Sequence, residues 1–221
     1  MHIQWYGMAA FRLQDGEHTV LIDPFGPMEG LPIRINFPPL GSVWADLLLI
    51  SHEHPDHNGA EVAQGQPHTI RSKAGTFQTP IGPVVGINSE HDPVAGTKRG
   101  PNTIFLFTLG GISICHFADF GESHLRPEQR EAIGHPDLIF FPAGSGPTID
   151  AAEGARIVTD LAPKWVVPMH YRTPAISFLD PPDRFLAAFD DVRHLPNSTF
   201  DLADFPATGH PIALVPASPQ R

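Results

Sequence analysis

The run Ser51-His52-Glu53-His54-Pro55-Asp56-His57-Asn58-Gly59 places three histidines and an aspartate within six residues. Imidazole nitrogens and a carboxylate at that density are what a borderline-soft divalent ion such as zinc takes as ligands. The apolar residues Leu47-Leu48-Leu49-Ile50 come immediately before and read as a buried strand, so the donors gather at one sheet edge. The competing reading is a solvated loop whose histidines act as capping residues. The chain has 13 histidines, so some near neighbours arise by chance. Three interleaved with an aspartate at the end of an apolar strand form a far more specific pattern.

One short loop cannot surround an ion, so further donors must come from other strand ends. Three residues qualify. His91 follows the apolar stretch Val84 to Asn88, Asp119 follows Ile112 to Cys115, and His170 follows Val166-Val167-Pro168-Met169. Each alone is weakly specific; a lone histidine after a strand is more often a hydrogen-bonded structural residue. Asp23 closes the strand Thr19 to Ile22 and either orients the first loop or only ends its strand. Arg172, two residues past His170, carries a fork of donors that matches a carboxylate or phosphate. It is expected to face the pocket and hold an anionic part of the substrate, against a surface arginine paired with an acidic residue. Lys98, Arg99 and Asn102 are read first as a solvated surface turn, although they also suit an anion. His116 and His124 are read as strand and loop residues.

The elements that position these residues are strand-rich at first. Ile3 to Tyr6, Ala9 to Leu13 and Thr19 to Ile22 are short apolar runs, with a hairpin signal at Asp15-Gly16. The proline- and glycine-rich stretch 25–41 has no period and is long for a plain connection; Phe25, Met28 and Phe37 in it would make an apolar lid or core. Gly59 to Ala63 reads as the start of a short helix. Strands are expected at Thr69 to Ser72, Val84 to Asn88, Thr103 to Leu109 and Ile112 to Cys115, the last two joined by a turn at Gly110-Gly111.

From Pro127 onward helix and strand alternate. Proline suits the first helical turn there. Asp150 with Glu153 resembles a capping box opening a helix that buries Ala151, Ala155, Val158 and Ala162. Strands follow at Leu138 to Phe141, Trp165 to Pro168 and Ile212 to Val215, with a helix at Asp183 to Phe189. Two sheets with helices packed outside is the layered solution this order fits, an α/β fold in one domain spanning 1–221.

Composition narrows the partners. The net charge of −10 disfavours nucleic acid and anionic membrane. The single cysteine, Cys115, rules out a disulfide within the chain and lies in an apolar run as a small core residue. No apolar stretch reaches spanning length, and Met1 to Tyr6 lacks a signal-peptide pattern, so a cytoplasmic protein is expected. Asn197-Ser198-Thr199 is therefore read as a turn rather than a glycosylation site. No dinucleotide or Walker phosphate-loop pattern is present.

Taken with Leu21-Ile22-Asp23-Pro24, Phe141-Pro142-Ala143-Gly144 and Val167-Pro168-Met169-His170-Tyr171, these motifs resemble the metallo-β-lactamase fold superfamily over nearly the whole chain. Within it the chain looks most similar to compact bacterial metal-dependent hydrolases related to ascorbate 6-phosphate lactonase. The resemblance implies a four-layer αββα sandwich with a two-metal site at the sheet edges. It implies that His52, His54 and His91 hold one ion, that Asp56, His57 and His170 hold the second, and that Asp119 bridges them. It further implies a metal-bound hydroxide as nucleophile, with Asp56 as its proton acceptor. Zinc suits the ligands, and manganese or iron also fit.

Two departures stand out. Ala118 occupies a position where relatives often carry glycine, and His54 stands where flavodiiron-type relatives use glutamate, which argues against oxygen-reducing chemistry. The expected activity is hydrolysis of an ester, lactone or amide bond in a small anionic molecule. The alternatives are a phosphodiesterase or nuclease of the same fold, and a non-catalytic metal-binding sensor.

Overall fold

The computed structural model describes residues 1–28 and 35–220. Residues 29–34, the middle of the proline- and glycine-rich stretch, lie outside the described residues. Two sheets face each other across one core. The first has six strands in the order Thr199–Asp201, His2–Gly7, Ala10–Asp15, His18–Ile22, Leu47–Ile50 and His68–Arg71. The second has eight, in the order Asp191–His194, Ile212–Val215, Trp165–Met169, Leu138–Pro142, Ile112–His116, Pro101–Leu109, Gly82–Glu90 and Gly75–Thr79. The core between them takes Trp5, Phe11, Leu13 and Leu49 from the first sheet and Phe105 and Phe140 from the second.

Helices cover the outer face of the second sheet. The helix Ala151–Leu161 starts at Asp150, whose side chain accepts from the backbone N–H of Ala152 and Glu153. Only this half of the expected capping box forms; the Glu153 carboxylate lies 3.9 Å from Arg156 instead. Ala151, Ala155 and Val158 are buried as expected, joined by Ile157 and Leu161. Ala162 is exposed instead, because it lies past the helix end in a left-handed conformation. Helix Pro127–Ile133 starts at its proline, and the third helix is a single turn, Asp183–Leu186.

Over the first sheet the outer layer is thinner. The expected helix at Gly59 to Ala63 is a 3-10 turn, Ala60–Val62, running straight into the short strand Ala63–Gln64. That strand pairs with Val43–Trp44, and Val43, Ala45, Val62 and Ala63 cover Leu21, Leu48 and Ile50 from outside. Both hairpins form where the turn chemistry placed them. Asp15 pairs with His18 and Leu109 with Ile112, the latter across Gly110 and Gly111 at φ +57° and +77°.

Topology decides where the polar residues go. Strands Ile112–His116, Leu138–Pro142 and Trp165–Met169 are parallel, so their carboxyl ends share one edge. Gly82–Glu90 reaches that direction through two antiparallel steps, Gly82–Glu90 against Pro101–Leu109 against Ile112–His116. In the other sheet His18–Ile22 and Leu47–Ile50 are also parallel.

Candidate metal centre

Asp23, Ser51, His91, Asp119 and His170 each follow the carboxyl end of one of these strands. The loop 51–59 folds back over the edge: the His57 N–H donates to the His54 carbonyl at 2.9 Å, and the Gly59 N–H to Pro24 at 2.7 Å. Gly59 packs so closely on Phe25 and Gly26 that a Cβ there would overlap their backbone. Gly121 closes the other side, its N–H donating to the Glu90 carbonyl at 2.8 Å, with no room for a Cβ against His91.

Two groups of donors result. In one, a ligand atom from each of His52, His54, His91 and Asp119 lies within 4.8 Å of the others. In the second, the same holds for Asp56, His57, Asp119 and His170. Asp119 belongs to both. Its Oδ2 is 2.9 Å from His91 Nε2 and 3.2 Å from His170 Nε2, and its Oδ1 is 3.3 Å from His57 Nε2. His52 Nε2 and His54 Nδ1 face each other at 3.1 Å. The family resemblance implies the same two sets, and the fold brings these seven residues together at neighbouring strand ends.

Behind the donors lies a buried support. Asp23, fully enclosed, accepts from the Ser51 N–H and Oγ–H at 2.7 Å each and meets His57 Nδ1 at 3.0 Å. Ser51 Oγ is also 2.9 Å from His52 Nδ1. Asp23 takes the orienting role and ends its strand as well, at φ +43°. Asn102, read as part of a surface turn, is buried. Its Nδ2 donates to Ser89 Oγ and the Phe117 carbonyl, and its Oδ1 accepts from the Asp119 N–H at 3.3 Å. It fixes the backbone that carries Asp119. His116 donates through Nε2 to the Ala9 carbonyl at 3.0 Å and is a strand residue beside the site.

Electrostatics separate the histidines. Burial and the charge of His57 push His52 well below the ordinary imidazole value, and burial with His91 lowers His54. Burial also acts to lower His57, but Asp119, Asp56 and the hydrogen bond to Asp23 outweigh it and raise His57 well above that value. Asp119 is the mirror case. Burial acts to raise it, while His170 and His57 together hold it well below the usual carboxylate range. His52 and His54, favoured as neutral imidazoles beside the ionised Asp119, are ligands ready for a cation, whereas His57 must first give up a proton.

The donors fit metal ions by a direct test. His57 Nε2 and Asp119 Oδ1 are buried, and beyond facing each other at 3.3 Å neither makes a well-formed hydrogen bond. Buried polar atoms rarely stay unpaired, and a cation satisfies both a nitrogen lone pair and a carboxylate oxygen.

The donors open into a cavity of about 320 Å³ lined by His54, Asp56, His91, Asp119 and His170. Met28, Ile35, Pro55, Pro147, Phe178 and Arg99 complete the lining among the described residues. Arg172 does not line this cavity. Its Nε donates to the Leu179 carbonyl at 2.6 Å and its guanidinium is 3.8 Å from Asp180. The chain turns at His170, at φ +51°, which carries Arg172 away from the donors and onto the loop 173–180. The expected substrate contact at Arg172 is thus replaced by a surface pairing that closes this loop, and among the described residues the cation lining the cavity is Arg99. Phe178 and Pro147 were not singled out in the sequence, because a single aromatic or proline in a loop carries no periodic signal.

Comparison with known proteins agrees with this geometry. A family model described as a beta-lactamase superfamily domain matches residues 2–170. A UPF0173 metal-dependent hydrolase of Thermococcus kodakarensis is 32% identical over 77% of this chain and 84% of its own. One of Heliobacterium modesticaldum is 29% identical over 78% and 83%. A crystal structure from Thermotoga maritima, of a protein assigned to the Zn-dependent hydrolases of the metallo-beta-lactamase superfamily, superposes with a TM-score of 0.77 at 29% identity, covering 98% of both chains. The chain belongs to this family: it is a metal-dependent hydrolase of the metallo-beta-lactamase superfamily.

Proposed function

We propose that the protein binds two divalent ions, zinc in the first instance with manganese or iron also suited, and hydrolyses an ester, lactone or amide bond in a small anionic molecule. The observation that carries this reading is Asp119, a single buried carboxylate shared by two four-donor groups. His52, His54 and His91 would hold one ion, Asp56, His57 and His170 the other, and Asp119 both. When bound, such ions polarise a carbonyl and render water nucleophilic near neutral pH.

The chain's own residues do the rest. Asp56 is the more open of the two carboxylates, its side chain 18% exposed against 3% for Asp119. It faces the cavity and is the group placed to accept a proton there. The buried histidines would present neutral nitrogens to the ions and exclude bulk water from one side. A phosphodiester substrate is the second reading. The net charge of −10 weighs against a polynucleotide, but not against a small phosphodiester.

Elemental analysis of protein purified without added metal, beside a screen with 4-nitrophenyl ester, lactone and phosphodiester substrates, tests both parts. About two ions per chain with ester or lactone turnover is the expected result. One ion or none in metal-replete protein removes the dinuclear centre, and full metal without turnover on any substrate favours a binding protein.

A further inference from the structure

Arg99 shares the cavity with the metal donors, and its loop is held in place from below. Asp92, only 3% exposed, directs its carboxylate into that loop. One oxygen accepts from the N–H groups of Val94 and Gly96 at 2.9 Å each. The other accepts from Lys98 at 2.9 Å and Arg99 at 2.8 Å. Four backbone hydrogen bonds to one enclosed carboxylate fix the position from which the Arg99 side chain starts. A substrate contact built on such a base loses less entropy than one on a free loop.

Among the described residues the guanidinium itself meets no partner. Among the described residues, Arg71, Arg126, Arg156, Arg172, Arg184 and Arg193 each have a carboxylate within 4.0 Å. Arg12 and Arg130 donate to the Gln14 side chain and to backbone carbonyls. For Arg99 no side-chain hydrogen bond or ion pair is found among the described residues. That is unexpected in a chain of net charge −10, where acidic partners abound.

The same cavity carries apolar surface. Phe178 is 48% exposed, and Met28 and Ile35 are half-buried. These two rest on a small cluster with Phe25, Phe37, Ile176 and Leu179, so the wall is backed by packing. The cavity thus combines metal donors, one guanidinium and an apolar wall in about 320 Å³, room for a small ligand only.

We propose that Arg99 selects a carboxylate on the substrate, whose apolar body lies against Phe178, Met28 and Ile35. A planar fork matches the two oxygens of a carboxylate. A phosphate dianion would call for a second cation, and among the described residues Arg99 is the one Lys or Arg in the lining. A permanent cation near two metal ions is also best tolerated when an anion lies between them. The inference rests on the hydrolase reading above and gives it a substrate class: a small acid carrying both an apolar group and the scissile bond.

Calorimetry with metal-replete protein tests it, using 3-phenylpropionate and its neutral analogue 3-phenylpropionamide. Wild type should bind the acid about tenfold or more tightly than the amide. In Arg99→Ala the two should bind alike, and Arg99→Lys should recover part of the preference. Phe178→Ala should weaken both ligands in proportion. An acid preference undiminished in Arg99→Ala overturns the proposal, since the metal ions then hold the carboxylate; so does the absence of any preference in wild type. Hydrolysis of 4-nitrophenyl esters is followed in parallel. If no ester is cleaved while the Arg99-dependent preference persists, the reaction is wrong and the carboxylate site stands.

Discussion

The carboxylate of Asp23 and the imidazole of His57 meet at 3.0 Å with both side chains sealed from solvent. The same carboxylate holds Ser51, and Ser51 Oγ reaches His52 Nδ1. One buried aspartate therefore aims a histidine in each of the two donor groups. Orienting partners of this kind typically contribute about 10–100-fold in metal affinity. Asp23→Asn should lower affinity by that order in chelator competition while the protein still folds. Wild-type affinity would reduce Asp23 to a strand-ending turn residue.

His57 and Asp119 make pH and metal compete. In the metal-free protein His57 is raised well above the ordinary imidazole value. Its stabilising contribution is full below about pH 6.5 and fades as pH rises through the raised value. Asp119 is lowered. Its contribution is present above about pH 4 and fades as pH falls through the lowered value. The metal-free fold should thus lose this support at both extremes, in thermal melts run across pH. A metal ion must displace the His57 proton, so binding near neutral pH should release protons. Calorimetry in two buffers of different ionisation enthalpy reads that release. Identical apparent enthalpies would show that His57 is already neutral.

Asp119→Asn separates bridging from folding. An amide keeps the shape but carries no charge, and holds two cations poorly. Metal content should fall from about two ions per chain to one or fewer, with activity lost in step, while the circular dichroism spectrum is preserved. Full metal content in this variant would place the bridge elsewhere.

Ala118 adopts φ +51° with no exposed surface, immediately before Asp119. A left-handed residue costs about 1 kcal/mol when it carries a Cβ, a cost glycine would avoid. Ala118→Gly should change unfolding free energy by less than about 1 kcal/mol, because relieved strain offsets added chain entropy. Ala118→Val adds a branched side chain to the same backbone in a filled core and should cost about 2 kcal/mol or more. Denaturant titration compares the two, and equal stabilities would show that the turn relaxes.

The sequence made the strand ends legible, because apolar runs followed by single polar residues are local patterns. Strands Leu47–Ile50, Ile112–His116 and Trp165–Met169 lie where those runs predicted, and all seven donors are found at or just past strand ends. Less was legible where packing decides. Gly75–Thr79 and Asp191–His194 are edge strands with few buried residues, so they lack the apolar run that marks a strand. Thr199–Asp201 becomes a strand by pairing with His2–Gln4, nearly two hundred residues away, which takes Thr199 out of the expected turn Asn197-Ser198-Thr199. Asn102 and Arg99, read together as part of one solvated turn, part ways. One turns inward to Phe117 while the other lines the cavity, a distinction set by strand register rather than by composition.

Cys115 provides a last test, of the core rather than the site. It pairs in register with Leu106 and Ile139 on its two neighbouring strands and has no exposed surface. Burial pushes its thiol well above the ordinary value, so the thiolate that reacts with disulfide reagents is scarcely populated. The native protein should leave Cys115 unmodified by a chromogenic disulfide reagent at pH 8, and denaturant should release one thiol per chain. Because reaction then requires opening of the second sheet, its rate reports unfolding of the layer that carries Asp119 and His170. Adding metal should slow it, since ions bound at the strand ends stabilise the closed form. Rapid labelling of the native protein, with or without metal, would show that these strands open independently of the site.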